Sequence, residues 1–350
     1  MKTWSRRSVI AGGAAVTAGL ALRAVAQKLA APYGADQPPI PAWSTEMREI
    51  APDVFAYIQA GGPALAYSGI SNAGVLRGKD HLLGVDSLAA PIQTKALLAA
   101  GRRVAPGLEF NRLVYSHHHG DHIDGAMFFP PQIDLVATEF CRQTIAAMEP
   151  LPPWTARTGW AEGGEPHLRL APNIIIGSKT TIDCGNMVAE LLPVGPAHTY
   201  GDILVYLPEK KVLFAGDVGF FYVAPYAHWG NISNWIVELN RILDMDVTTI
   251  VPGHGPIGGK SHIAEQRDYL VLFQKEARKR YDANMTPAQA ASTITLGKFD
   301  AWRGAQDRLP MNTVRAFHEF SGTLTPQMDV KGTADAQKEY TRITGYQFPA

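Results

Sequence analysis

The feature that most constrains this chain is a cluster of metal-ligand side chains at residues 115–122, which reads Tyr-Ser-His-His-His-Gly-Asp-His. An apolar run precedes it and small residues follow it, a pattern that predicts a strand turning into a helix. Because a turning backbone points neighbouring side chains in different directions, four ligands within six residues suit two adjacent ions better than one. We interpret His117 and His119 as facing one ion, and Asp121 and His122 as facing the other. A surface histidine cluster would not need the Asp-His continuation or this position between a strand and a helix.

Length and charge limit the classes of protein that this chain can represent. With 350 residues, of which 46% are hydrophobic, the chain can build one large core or two modest domains. Lys and Arg together number 32, as do Asp and Glu, so no excess of positive charge points to a nucleic-acid partner. The expected partner is a small-molecule substrate.

The first 26 residues have the features of an export signal. Arg6 and Arg7 resemble a twin-arginine motif, a weakly apolar run over 9–22 follows, and Ala24-Val25-Ala26 is an A-x-A cleavage site. The apolar run of 14 residues is shorter than the ~20 needed to span a bilayer, so we expect no membrane span in the mature chain. These features predict a periplasmic protein that uses the twin-arginine translocase during export. Cleavage would remove four basic residues and no acidic ones, which leaves the mature chain with four more acidic than basic residues.

After the signal, the predicted domain organisation has three parts. Residues 27–52 are Pro-rich and predict a linker or N-terminal extension, residues 53–322 predict the catalytic domain, and residues 323–350 predict a C-terminal tail. The segment over 150–166 contains several Pro and Gly residues and predicts a long loop, a candidate wall or lid for a pocket.

Within the catalytic domain, hydrophobic patterning predicts two similar halves, each with strands first and helices after. The predicted strands are Val54–Gln59, Asn72–Arg77, His81–Val85, Leu113–Tyr115, Leu135–Ala137, Ile174–Ile176, Thr180–Ile182, Ala189–Val194, Ile203–Leu207, Val212–Ala215 and Val247–Val251. The predicted helices are Pro91–Ala100 stopped by Gly101, Glu139–Met148, Ser233–Leu243, a long one whose apolar face runs from Ile263 to Tyr281, one capped by Thr286 before Pro287, and one near Thr313–Phe320.

Three further candidate ligands each follow an apolar run and stand next to Gly or a turn. They are His198 in Gly-Pro-Ala-His-Thr-Tyr-Gly-Asp, Asp217 at the end of Phe-Ala-Gly-Asp, and His254 in Pro-Gly-His-Gly. A neighbouring glycine lets the backbone approach an ion closely. Considered alone, each histidine would more often form a structural hydrogen bond, and the aspartate would more often be a turn residue or a helix cap. Considered together with the 115–122 stretch, the three residues complete a ligand set.

In this order the motifs resemble those of the metallo-β-lactamase superfamily, and the resemblance covers roughly Val54 to Tyr281. It implies an α/β fold, the four-layer αβ/βα sandwich, with two Zn²⁺ ions per chain at the strand ends between the halves. It also implies the ligand sets, which are His117, His119 and His198 for one zinc, Asp121, His122 and His254 for the other, and Asp217 as the bridge. Asp86 matches the family's first acidic motif, which supports the site from behind.

These ligands favour hydrolytic chemistry. Nitrogen and oxygen donors without thiolate suit zinc, which lowers the pKa of bound water to ~7 and so supplies a hydroxide nucleophile. Asp121 would orient that nucleophile as a catalytic residue. Aspartate at position 217 disfavours β-lactamase activity, because β-lactamases of the family carry Cys or Ser there. The expected activity is zinc-dependent hydrolysis of an ester, lactone, phosphotriester or activated aryl halide. The alternative is a non-hydrolytic member of the family, either a mononuclear iron oxygenase or an accessory metalloprotein of another periplasmic enzyme.

Aromatic residues crowd the segment over 220–229, directly behind Asp217. Since Pro225 interrupts any regular period, we expect this segment to form the apolar wall of a substrate pocket. Tyr222 or His228 is then the catalytic donor to a developing oxyanion. The alternative is that these aromatic residues only pack a helix against a sheet.

Residues outside the motifs are expected to be structural. Cys141 and Cys184 are interpreted as unpaired thiols. His118 is interpreted as supporting the site or pointing outward. The four remaining histidines without a neighbouring motif, expected at surface or capping positions, are His81, His167, His262 and His318.

Overall fold

A computed structural model of the chain describes residues 40–60, 70–150 and 169–348. The strands are β1 (Glu46–Ala51), β2 (Val54–Ile58), β3 (Ala73–Arg77), β4 (Leu82–Val85), β5 (Phe110–Val114), β6 (Asp134–Thr138), β7 (Ile174–Ile176), β8 (Thr180–Asp183), β9 (Val188–Val194), β10 (Asp202–Leu207), β11 (Val212–Phe220) and β12 (Thr249–His254). The α-helices are α1 (Pro91–Val104), α2 (Gly120–Ile123), α3 (Glu139–Ala146), α4 (Ile232–Asp244), α5 (Lys260–Asp282), α6 (Pro287–Ala291), α7 (Ala305–Ser321) and α8 (Val330–Thr344). The predicted signal (1–26) and nearly all of the predicted loop over 150–166 lie outside the described residues.

The strands form two sheets. Seven strands lie in chain order from β1 to β7, with antiparallel neighbours up to β4 and parallel neighbours from β4 onward. The other five lie in the order β12-β11-β10-β9-β8, where only β11 and β12 are parallel. Parallel neighbours bring successive carboxyl ends to the same edge of a sheet, which is where ligand residues can meet.

Side-chain alternation along the strands builds the predicted four layers. On β2, Val54 and Ala56 belong to the core between the two sheets, whereas Phe55 belongs to the core under α1 and α3. On β10, Val205 faces the core between the sheets, while Leu204 faces the core under α4, α5 and α7. Because successive side chains of a strand point to opposite faces, strands buried on both faces require helices outside each sheet. The α/β fold class and the αβ/βα sandwich are confirmed.

The prediction that Gly101 stops the first helix was wrong. Helix α1 continues through Gly101 to Val104. At this position a Cβ atom would stand 3.3 Å from the Phe110 ring, so glycine serves close packing inside the helix rather than its end. The helix ends before Pro106, because the residue that precedes a proline is driven out of the helical region.

The two segments that were predicted to be irregular, residues 27–52 and 323–350, both contain regular structure. Part of the predicted linker forms β1, which pairs with β2 in antiparallel fashion. The predicted tail contains α8, in which Tyr340 is fully buried. Only three residues of this helix are buried, so its apolar period is too sparse to read from the sequence. Helix α7 begins at Ala305, eight residues before the predicted start at Thr313. The prediction missed this first part because Pro310 lies inside the helix, where a proline normally indicates a break.

Two strands reach further toward the candidate ligands than predicted. The predicted strand over 212–215 was too short, because β11 continues to Phe220 and carries Asp217 inside it. Gly216, with a φ of +48°, makes this possible, since it shifts the pairing with β12 and bends the strand without ending it. Strand β12 likewise continues to His254. Among the described residues, no helix has both the length and the apolar character that crossing a bilayer requires.

Candidate metal centre

The seven predicted metal ligands come together in two neighbouring groups. Histidines 117, 119 and 198 lie with Asp217 in one group, and Asp121, His122 and His254 form the other, with the ligand atoms of each group within 4.8 Å of one another. The 115–122 stretch supplies ligands to both groups because β5 ends at Val114 and α2 begins at Gly120. The turn between them points the ligands on its two sides toward different groups, as expected.

Asp217 lies between the two groups. Its Oδ2 is 3.2 Å from His198 Nε2 and 3.8 Å from His117 Nε2. Its Oδ1 is 3.1 Å from His122 Nε2 and 3.3 Å from His254 Nε2. Each carboxylate oxygen therefore faces a different set of imidazoles, which is the arrangement that a bridging ligand needs.

Asp121 completes the second group. Its Oδ2 lies 3.2 Å from His254 Nε2 and 3.5 Å from His122 Nε2. The side chain of Asp121 is 13% exposed, compared with 4% for Asp217. Asp121 is therefore the more accessible of the two carboxylates, which suits the predicted role of orienting a nucleophile.

Groups behind the site orient its histidines. Asp86 Oδ2 lies 2.7 Å from Nδ1 of His122, and Asp86 Oδ1 accepts a 2.7 Å bond from the backbone N–H of Ser116. His254 Nδ1 donates to the carbonyl of Ile70 at 2.8 Å, which leaves its Nε2 free to face the site. Such partners fix both the tautomer and the direction of a metal-binding imidazole.

The Asp86→Asn variant should bind zinc roughly 10–100-fold more weakly than the wild type, because a lost supporting carboxylate typically has this effect on metal affinity. The new amide can place an N–H against His122 Nδ1, where the wild type has an acceptor. Zinc titration against a competing chelator measures the change. The control is Asp134→Asn, at a side chain that is 42% exposed and whose ion partner is Arg112, 3.9 Å away. An Asp86→Asn affinity equal to that of the control would contradict this role.

Burial and charge set the protonation of the ligands. Burial, reinforced by neighbouring histidines, holds the pKa values of His117 and His119 well below 6.5, and burial lowers the pKa of His198 to about 4. These imidazoles are therefore neutral, the form that binds metal. Burial also opposes charge on His254, but Asp217 and Asp121 outweigh it and raise the pKa of His254 to about 9. The carboxylates thus attract positive charge into the second group.

A pair of divalent cations fits these residues. His117 Nε2 and His119 Nε2 are buried and have no hydrogen-bond partner among the described residues. An orphaned buried polar atom is costly unless a partner satisfies it. Imidazole nitrogens and carboxylate oxygens without a thiolate are the donor set that suits zinc.

The predicted catalytic pair divides between two places. His228 is buried, and its ring stacks at 6.0 Å on that of the candidate ligand His119. Tyr222 instead packs against α5, where its hydroxyl is 3.5 Å from His262 Nε2. His228 therefore borders the centre, whereas the contacts of Tyr222 point to a role in the wall behind it.

The aromatic segment 220–229 divides into two parts with different surroundings. Phe220 and Phe221 are buried core residues, and the Phe220 ring stacks at 4.9 Å on His254. Tyr226 and Trp229 are half-buried, and the Trp229 ring lies 5.9 Å from that of His119. The first part of the segment thus packs the protein, and the later part borders the metal centre.

The cysteines and the remaining histidines lie outside the ligand set. The two cysteines are unpaired, as predicted. His118 does not point outward: it is fully buried between the rings of Phe140 and Trp229, and neither of its ring nitrogens has a hydrogen-bond partner within the described part of the chain. His262 accepts the backbone N–H of Gly259 at the start of α5, which is the predicted capping role.

Three residues around the site have no motif that marks them in the sequence. Asn72 donates at 2.8 Å to the carbonyls of Pro252 and Gly255, on either side of His254. Gln266 on α5 accepts from Phe220 N–H at 2.7 Å. Arg308 on α7 lies beside the aromatic segment. Their partners are distant in the sequence and are mostly backbone atoms, so no local motif marks them.

The sequence matches the model of the "Metallo-beta-lactamase superfamily" over residues 66–254, which is more than half of the chain. The 2,4-dinitroanisole O-demethylase subunit alpha of Nocardioides sp. (strain JS1661) is 24% identical over 53% of this chain and 53% of its own length. The linear primary-alkylsulfatase of Pseudomonas sp. (strain ATCC 19151) is 21% identical over 63% of this chain and 49% of its own length.

Among solved structures, the sec-alkylsulfatase Pisa1 from Pseudomonas sp. aligns with 87% of this chain and 55% of its own, with a TM-score of 0.60 and 16% identity. At that identity the likeness shows a shared fold. The chain spans about half the length of these relatives.

Proposed function

Because the chain belongs to the metallo-β-lactamase superfamily, we propose that it is a dinuclear zinc hydrolase that acts on small ester-type substrates. The observation that carries this proposal is the position of Asp217, with one carboxylate oxygen toward each group of histidines. A single ion would leave one of those groups without a cation. The two ions are expected to be held as the sequence suggested, by His117, His119 and His198 on one side, by Asp121, His122 and His254 on the other, and by Asp217 between them.

Zinc at such a centre supplies Lewis acidity and a water-derived nucleophile at neutral pH. The protein positions the ligands and the water. Asp86 and the Ile70 carbonyl fix the orientation of the His122 and His254 imidazoles. Asp121, the more accessible carboxylate, orients the attacking water or accepts a proton from it. Phe220 and the later aromatic residues exclude bulk water from one side of the site, which strengthens every charge interaction within it.

The substrate class extends from esters, lactones and phosphotriesters to activated aryl substrates. A relative named as an alkylsulfatase adds sulfate esters to this range, and one named as an O-demethylase of 2,4-dinitroanisole adds activated aryl ethers. β-Lactams are disfavoured because residue 217 is an aspartate.

We expect zinc-dependent hydrolysis of at least one chromogenic substrate from these classes. Purified protein is stripped with a chelator, reloaded with zinc, and assayed on 4-nitrophenyl acetate, 4-nitrophenyl sulfate, a phosphotriester, a chromogenic lactone, 2,4-dinitroanisole and a chromogenic β-lactam. His117→Ala and His254→Ala should each lose activity, because one missing ligand leaves an ion weakly held.

The matched control is His81→Ala, at an exposed histidine remote from both ligand groups. It should retain both zinc and activity. Equal turnover by metal-free and zinc-loaded protein, or full activity in either ligand variant, would rule out this function.

A further inference from the structure

Arg308, on helix α7, is a buried cation without an acid partner. Its side chain lies outside the 66–254 segment matched by the family model and is only 6% exposed. The guanidinium donates to the carbonyl of Ala224, and no ion pair joins it to a carboxylate among the described residues. Removing a charge from water is unfavourable unless something compensates it, so this position calls for an explanation.

A second arginine on the same helix shows what a structural role looks like here. Arg315 is 3% exposed, and its guanidinium donates to four backbone acceptors. Those acceptors, at 2.6–3.2 Å, are the carbonyl oxygens of Gly230, Trp229, Thr325 and Gln327. Arg308 has one such acceptor although a guanidinium carries five N–H donors.

The other N–H groups of Arg308 have no acceptor among the described residues. The phenol oxygen of Tyr226, half-buried beside it, forms no hydrogen bond with those residues either. Both side chains therefore keep hydrogen-bonding capacity that the described protein atoms do not use.

Arg308 lies close to side chains that border the candidate metal centre. The guanidinium carbon of Arg308 lies 5.5 Å from the centroid of Phe220, whose ring stacks on the ligand His254. It lies 5.3 Å from the centroid of Tyr226, whose ring is 3.8 Å from that of His228. Burial lowers the pKa of Arg308, while Tyr226 and Asp217 act in the opposite sense.

The charges near the site favour an anionic substrate. Two divalent ions would bring more positive charge than Asp86, Asp121 and Asp217 together can neutralise, and Arg308 adds to that excess. A site with a net positive charge and little water attracts a negatively charged ligand strongly.

We propose that Arg308, flanked by Tyr226, forms a subsite for an oxyanion, and that the substrates are small esters bearing a carboxylate or sulfate group. The inference rests on the proposed function, because the metal centre supplies the reaction. Arg308 is well suited to this role, since its planar donors match an oxyanion in bidentate geometry.

The kinetic test compares two esters with the same leaving group, 4-nitrophenyl acetate and 4-nitrophenyl hemisuccinate, which differ by a carboxylate. Zinc-loaded wild type should prefer the hemisuccinate. In Arg308→Met, kcat/KM for the hemisuccinate should fall by about 10–100-fold, the range of a lost charge-assisted hydrogen bond, while the acetate changes little. Arg308→Lys should retain part of the preference. The control is Arg278→Met, which removes an exposed arginine paired with Asp282.

A second readout does not use catalysis. Calorimetry with succinate, and separately with inorganic sulfate, should show one binding site per zinc-loaded wild-type chain that is at least about 10-fold weaker in Arg308→Met. The two anions distinguish a carboxylate site from a sulfate site. If wild type binds neither anion, or if Arg308→Met loses acetate and hemisuccinate turnover equally at an unchanged zinc content, the subsite is refuted. If wild type hydrolyses no ester, the proposed function fails and calorimetry still tests the subsite.

Discussion

Replacing Asp217 with Asn should reduce turnover by at least about 10²–10³-fold, the loss typical when a charge partner of the transition state is removed. The substitution conserves shape, but it replaces one carboxylate oxygen by an N–H donor. That donor would face either His117 and His198 or His122 and His254, so one group of histidines loses its shared acceptor. We therefore expect the zinc content to fall along with the activity.

Metal analysis and steady-state kinetics on the same preparation measure this effect. Asp246→Asn is the control, since that carboxylate is 73% exposed and pairs with Lys211 at the surface. It should have the wild-type zinc content and kcat. If Asp217→Asn kept two zinc ions and normal turnover, Asp217 would not be the bridge.

A single methyl group at Gly253 should have nearly as large an effect. A Cβ there would overlap the Asp217 carboxylate and stand 2.8 Å from the carbonyl carbon of Gly216 and 2.9 Å from the backbone nitrogen of Asp217. Two of these neighbours are backbone atoms, so rotating a side chain cannot relieve the clash. Strands β11 and β12 must separate, and the two ligands they carry, Asp217 and His254, must move apart.

We expect Gly253→Ala to lose roughly 10²-fold in turnover, the scale expected when reacting groups are misplaced by about 1 Å. Overpacking should also lower the free energy of unfolding by about 1–3 kcal/mol. Gly177→Ala is the matched control, because a Cβ at Gly177 meets nothing within 4 Å. Chemical denaturation and kinetics of both variants decide the matter. Wild-type activity in Gly253→Ala would show that β12 does not fix the ligands in this way.

The ligand residues could be predicted because each stands in a short motif after an apolar run. Strand ends, glycines and ligand types coincide at His198, Asp217 and His254, and the structure places all three with the 115–122 stretch. The two-sheet fold was predictable for a related reason. Its central strands, such as β2, β4 and β11, are buried on both faces and therefore appear as apolar runs that stand out from the rest of the sequence.

What surrounds the ligands was harder to predict. Local sequence rules predict that Gly101 ends a helix and that a strand ends before Gly216. Instead, helix α1 continues because Gly101 packs closely against Phe110, and strand β11 continues because Gly216 adopts a positive φ. Arg308 reaches the site from a helix whose pattern is hidden by Pro310. Tyr222 and Tyr226 are equivalent in the sequence, and only the positive φ of Tyr222 (58°) and the chain path after it separate their environments. Tertiary contacts determine these side-chain environments, and such contacts leave no periodic pattern in the sequence. The twin-arginine signal and periplasmic export remain predictions.

The most direct measurement is the number and position of metal ions in the purified protein. Elemental analysis combined with anomalous diffraction at the zinc edge gives both from one sample. Two zinc ions per chain, one beside His117, His119 and His198 and the other beside Asp121, His122 and His254, with Asp217 between them, is the expected result. One ion per chain that does not increase when zinc is added, or a single iron, would contradict the dinuclear centre.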